Sequence, residues 1–286
     1  MPSTRNKTIT LNNDPDVNEL WEGIGGNFDN LTQILNEFID NASSNFKASY
    51  YLEKPRTLNK IFVRIIEKKK GLYKVEIEDT GTGITNLEAA LSIGNKSAGQ
   101  TTLNEHGFGM KNALAAANPG NDKWSIKTRT VDDVKNDEYT EIQAPYEFNQ
   151  QIIKVTGSTA WEGVHQTGTI VTFYITDDLL RTIAKGLKGN YKNLDSLVEV
   201  LEEDLGYTYR TYIQEGICSL TIEYKALHMP HIVTKNVSIV EPSIETLFGP
   251  KHGNEKLDLG DGEVEIDYEF LKVKRSNHKK HYLANM

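Results

Sequence analysis

The chain of 286 residues has a single cysteine, Cys218. One thiol excludes an internal disulfide and points to a reducing, cytoplasmic setting. Cys218 falls in an apolar stretch, 216–224, where a small core residue is the ordinary reading. Long apolar runs are missing too. Nothing approaches the roughly 20 residues of a membrane-spanning helix, and the polar start, 1–13, lacks the apolar centre of a secretory signal. Positive charge is not in excess: the net charge is −8 and the pI about 5.5. That argues against whole-surface binding to nucleic acid or anionic membrane, while leaving room for a local basic patch. No second histidine or cysteine stands at metal-ligand spacing from His106, which argues against zinc.

What is present suits a soluble globular protein. Hydrophobic residues make up 38% and charged residues 25%, enough for one large or two moderate cores at this length. Residues 1–28 are expected to form an N-terminal arm with a short apolar cluster, Leu20, Trp21 and Ile24. Residues 30–46 form a helix in this reading. Leu31, Ile34, Leu35, Phe38, Ile39 and Ala42 recur at helical spacing, with Asp29 or Asn30 as cap. Strands are expected at 60–67, 73–79, 123–131, 139–143, 152–155 and 169–175. A Gly/Asn/Ser/Thr-rich loop with a short helix, 86–92, leads into a helix at 109–117. The pattern changes near residue 177, where a domain boundary is expected. Beyond it, 177–187 and 194–205 read as helices, and 218–224, 233–240 and 264–273 as strands.

Four short segments carry chemistry. Glu37 and Asn41 are four apart, on one line of the first long helix, with Gln33 and Ser44 on the same side. Such a pair is compatible with a solvated polar face. It also suits a carboxylate that polarises a water and an amide oxygen that holds a hard cation such as magnesium. Next, a strand ends in Asp79 and meets Gly81 and Gly83, followed by Ile84. This is either a capped turn or a place where a flat ring approaches the backbone while the acid accepts from an exocyclic amine. Third, Gly107 and Gly109 open a helix, with Phe108 between them and Met110 and Lys111 after them. A helix start offers free N–H groups to an anion, and Lys96 and Lys111 could add positive charge. The spacing is not that of a P-loop. Fourth, Thr169 starts a strand after Gly168.

In order and spacing these segments resemble the GHKL superfamily, whose members include gyrase B subunits, MutL, MORC ATPases, histidine kinases and one class of heat-shock chaperone. The resemblance rests on Glu37-Phe38-Ile39-Asp40-Asn41-Ala42, Asp79-Thr80-Gly81-Thr82-Gly83, Gly107-Phe108-Gly109-Met110-Lys111-Asn112-Ala113 and Thr167-Gly168-Thr169, and spans roughly 20–176. It implies an α+β fold: the Bergerat α/β sandwich, a mixed sheet with helices on one face, over 29–176, with a lid at about 85–111. A smaller α+β segment at 177–286 would begin an S5-like transducer domain. The resemblance assigns Glu37 as general base and Asn41 as magnesium ligand. Asp79 would read adenine, with Gly81, Gly83 and Ile84 beside the base. Lys96, Gly107, Phe108, Gly109, Met110 and Lys111 would surround the phosphates, and Thr169 would support the adenine. One position departs: relatives often carry an acid where Ser44 stands.

The implied cofactors are ATP and Mg2+, and the implied activity is ATP hydrolysis. Glu37 favours hydrolysis over kinase chemistry, since histidine kinases usually carry Asn there. Among the members, a MORC-like or MutL-like ATPase is favoured, self-associating when ATP binds and acting on DNA by family analogy. A chaperone-like ATPase acting on client proteins and a protein kinase of the same superfamily are the alternatives. Lys272, Lys274, Lys279 and Lys280 are candidates for a lysine reaching the γ-phosphate.

Overall fold

The computed structural model describes residues 17–50, 59–92, 109–148, 151–187, 189–240, 251–258 and 263–270. The alternating segments form eight strands: β1 (Lys60–Lys69), β2 (Leu72–Asp79), β3 (Trp124–Arg129), β4 (Glu138–Gln143), β5 (Ile153–Gly157), β6 (Gly168–Thr176), β7 (Ser219–Lys225) and β8 (Val233–Asn236). They join in the order β5-β4-β3-β6-β2-β1-β7-β8. Every neighbouring pair is antiparallel except β1 with β7, so the sheet is mixed. Two more strands, β9 (Lys251–Asp258) and β10 (Glu263–Phe270), make a separate antiparallel pair. The helices are α1 (Val17–Ile24), α2 (Leu31–Tyr50), α3 (Leu87–Leu91), α4 (Gly109–Ala117), α5 (Val131–Lys135), α6 (Asp177–Arg181), α7 (Leu194–Thr208) and α8 (Arg210–Gln214). The fold is α+β, as the resemblance implies.

Period-two alternation decides which face of the sheet is covered. Ile61, Val63 and Ile65 of β1 stand in register with Val75 and Ile77 of β2 and with Leu220, Ile222 and Tyr224 of β7, and all are buried. Across the sheet Val171, Phe173, Trp124, Ile126 and Ile142 continue this inner face. Helices pack on it: Phe38 of α2 meets Phe173 at 5.5 Å between ring centres, and Tyr224 donates to Asp195 of α7. Each large side chain taken from water there stabilises by about 1.5–3 kcal/mol.

The other face is polar. Its centre is Arg64, which donates to Glu76 at 2.8 Å, to Glu78 at 2.6 Å and to Glu223 at 2.6 Å. The backbone N–H of Val164 also donates to Glu78. The three partners of Arg64 come from β2 and β7, the strands on either side of β1, so the guanidinium ties three strands together.

The chain does not divide into separate cores at residue 177. β7 and β8 extend the same sheet, and Leu197, Val198, Leu201 and Leu205 of α7 belong to the same buried cluster as α2 and α4. The expected helix at 177–187 is two shorter pieces, α6 and a 3-10 turn, Thr182–Ala184. Part of the expected arm is core: Trp21 is fully buried, stacks on Tyr146 and Trp124, and donates to the Asn118 carbonyl. Residues 1–16 lie outside the described residues. The helix α1 within the expected arm and the separate short α8 were not anticipated, nor were α5 and β9. α5 follows from a capping box, Thr130 with Asp133, and β9 precedes the strand expected near the end.

Candidate functional site

The site begins with α2. Asn30 accepts from the Gln33 N–H at 3.0 Å, while Thr182 accepts from the Leu31 N–H at 2.8 Å, so the helix start is capped from both sides. With the apolar stripe held inward, Glu37 and Asn41 lie half-buried at its margin, one turn apart. The Glu37 carboxylate rests against Gly109, the first residue of α4. A methyl group built on Gly109 would collide with a Glu37 carboxylate oxygen. Glu37 therefore faces the amino end of a helix, where free N–H groups favour negative charge. Its affinity for a proton is raised, first by burial and then by the charge of Asp40. Asp40 is raised as well, by burial, against the opposing hydrogen bond from Tyr209.

The second part lies at the end of β2. Strand register sets Asp79 opposite Thr169, Thr169 beside Thr128, and Thr128 opposite Thr140. A polar row thus crosses four strands where the apolar inner face ends. Burial pushes the Asp79 carboxyl up to about 7, against the lowering effect of hydrogen bonds from Gly81 and Thr169. The Gly81 N–H donates to its Oδ1 at 2.8 Å. Thr128 is almost fully buried. Its Oγ1 accepts from the Ile84 N–H at 2.7 Å and lies 3.3 Å from the Thr169 hydroxyl.

Two glycines make this geometry attainable. Gly83 has φ +74°, and a Cβ there would lie 2.5 Å from the Arg129 carbonyl oxygen. Gly168 has φ +145°, and a Cβ there would run into the Asp79 carbonyl oxygen. Both let loop backbone lie directly against the sheet.

Lys111 is buried in α4. Its ammonium donates to the Ala90 carbonyl at 2.7 Å and the Ser92 carbonyl at 3.0 Å, at the carboxyl end of α3. Burial pushes it down to about 8. It thus ties α4 to the segment entering the expected lid. Met110 and Ile84 are half-buried and pack against the core. Lys96, Gly107 and Phe108 lie outside the described residues, as do Lys272, Lys274, Lys279 and Lys280.

The fold brings two groups of predicted residues over the same strands. α2 packs on α4 and on β2, and α4 also packs on β6, so the helices bearing Glu37, Asn41 and Gly109 cover the strands bearing Asp79 and Thr169. Thr128 was missed in the sequence. Its signal was a threonine at an inward position of an otherwise apolar alternation, which is legible only once the register is known. Tyr209 donates to Asp40 across 169 positions of sequence, a pairing that only the fold reveals. A groove of about 440 Å3 opens on the opposite, polar face, but none of the candidate residues line it. Its charges pair with each other, Lys74 with Glu76 and Lys127 with Glu162. Among the described residues no three metal-ligating side chains converge, and no helix is long and apolar enough to cross a membrane.

No family model matches the chain, and no curated protein matches its sequence. Among solved structures it is similar to the MutL ATPase domain of Aquifex aeolicus complexed with ADP. The identity there is 16%, over 75% of this chain and 65% of that one, with a TM-score of 0.38. It is also similar to the 43K ATPase domain of Thermus thermophilus gyrase B in complex with an aminocoumarin. There the identity is 17%, over 83% of this chain and 56% of that one, with a TM-score of 0.40. The chain spans less than two thirds of either structure.

Proposed function

We propose that this chain is a GHKL-type ATPase that binds ATP with magnesium over the polar end of its sheet and hydrolyses it. The observation that carries this reading is the Glu37 carboxylate seated on Gly109 at the start of α4, above strands ending in the row Asp79, Thr169 and Thr128. A buried acid and two hydroxyls at the end of an apolar face suit a flat base with an exocyclic amine. The amino end of α4 suits phosphates. Glu37, with its raised proton affinity, is placed to take a proton from an attacking water.

The donor set fits magnesium. Asn41 offers a single neutral oxygen, and a cation held there would take most of its octahedral shell from phosphate and water. Bound magnesium would neutralise developing phosphate charge. The chain's own residues orient the nucleotide and accept the proton. A carboxylate at position 37, rather than an amide, supports hydrolysis over transfer to a protein. We further propose that the 29–176 unit works together with residues 177–240, and that ATP binding pairs two subunits in the manner of a MutL-like or MORC-like clamp. DNA would be its partner, in the cytoplasm.

The test is titration of the chain with a non-hydrolysable ATP analogue and magnesium, beside phosphate release from ATP. Glu37→Gln should keep analogue affinity within a few-fold and lose turnover by about 100-fold or more. A chain that binds no analogue, or a variant that keeps its turnover, refutes the proposal. Size in solution with and without analogue tests pairing. DNA retention that weakens with salt tests the partner.

A further inference from the structure

The chain that follows β6 meets α2 near its start and again near its middle. Thr182 caps the first turn through the Leu31 N–H at 2.8 Å. Near the middle of the helix the contact is made by Tyr209. Its hydroxyl lies 2.9 Å from Asp40 Oδ1 and 3.2 Å from the Asn36 carbonyl oxygen, so one proton is shared unequally between them. Those two groups bracket the turn of α2 that carries Glu37.

Tyr209 is well suited to hold that turn. It is 2% exposed and stands at the junction of α7 and α8, where its own N–H donates to Leu205 and its carbonyl accepts from Ile213. Its ring meets Tyr212 edge-on at 6.3 Å. The hydroxyl is therefore presented from a fixed backbone. The Tyr209 hydroxyl reaches both ends of the 36–40 turn, the Asn36 carbonyl and the Asp40 carboxylate.

Resting on the ATPase reading above, we infer that Tyr209 is a positioning residue: its hydroxyl fixes the 36–40 turn of α2 and thereby aims the Glu37 carboxylate. It touches no nucleotide in this assignment. Its effect is on the attack step, where a displacement of the base of about 1 Å can lower the rate by up to about 100-fold. Ground-state nucleotide binding, which draws on Asp79 and the α4 amino end, should change little.

The experiment uses the full chain and Tyr209→Phe, which keeps the ring and removes the hydroxyl. Affinity for a non-hydrolysable ATP analogue, kcat and Tm are measured together. The expected result is affinity within about twofold and kcat lowered on the order of tenfold or more. Asp40→Ala removes the nearer acceptor of that hydroxyl and serves if the first variant folds poorly. The double variant should be slowed by less than the product of the two single effects, because the two changes share one contact. Unchanged kcat in a folded variant overturns the inference. So does a fall in kcat and affinity by the same factor, which marks general loosening. A wild-type chain without turnover overturns the ATPase reading and takes this inference with it. A wild type that turns over beside an unaffected variant overturns the inference alone.

Discussion

Replacing Asp79 by Asn should make the protein more stable at alkaline pH while weakening nucleotide binding. Burial raises the Asp79 carboxyl from 3.8 to about 7 in the folded chain. In the unfolded chain it ionises near its ordinary value. Between those two values the folded state holds the proton that the unfolded state has released, so stability falls as pH rises through this window and is level above it. A shift of about three units corresponds to about 4 kcal/mol. Asp79 is half-buried as a residue, so solvent makes that figure a ceiling. About a third of the window lies below pH 5, leaving at most about 2–3 kcal/mol between pH 5 and pH 8. Asn keeps an oxygen for the Gly81 N–H and has no charge to bury. Urea unfolding of both proteins at the two pH values isolates the effect, because Glu37 and Asp40, also raised, cancel in the difference. The variant should gain on the wild type from pH 5 to pH 8. A difference that is flat with pH refutes the burial of charge at Asp79. Affinity for the ATP analogue should drop by about tenfold or more, since the amide accepts a base amine less strongly than a carboxylate does.

Arg64→Met should lower unfolding stability by about 3–5 kcal/mol, because it leaves the almost fully buried Glu78 without its cation. A urea-measured loss below about 1 kcal/mol would show that the Arg64 cluster is merely a surface network. Gly168→Ala should cost clearly more than Gly71→Ala. Both have positive φ, but the first added methyl meets the Asp79 carbonyl, while the second has nothing nearer than an Asp177 carbon at 3.8 Å. Gly71→Ala should cost about 1 kcal/mol, and equal losses in thermal unfolding would refute the close approach at Gly168.

Local pattern revealed local structure well. The apolar stripe of α2 and the glycine that opens α4 lie where the sequence puts them, because each element is set by its own periodicity and cap. The alternation of β1, β2 and β6 gave their faces for the same reason. What it could not give was partnership. Nothing in 60–67 says that its second neighbour is 219–225, so residue 177 looked like a boundary where the sheet in fact continues. Thr128 joins Asp79 and Thr169 only through the register of three strands. Lys111 illustrates the same limit: a lysine in the first turn of a helix suggests phosphate, yet its ammonium rests on the Ala90 and Ser92 carbonyls at the end of α3. Composition gave no hint of that tether.

The parallel pairing of β1 with β7 has a consequence for synthesis. About 150 residues separate the two strands, and at roughly 5–20 residues per second the ribosome takes on the order of 10–30 s to supply the second after the first. During that interval β1 can pair with β2 on one side, but its other side is an open ladder of N–H and C=O groups above the apolar row Ile61, Val63 and Ile65. Such an edge is a template for unrelated strands. The nascent chain is thus most prone to aggregate in the stretch between completing β6 and releasing β7, and it is at that stage that a chaperone would have most to protect.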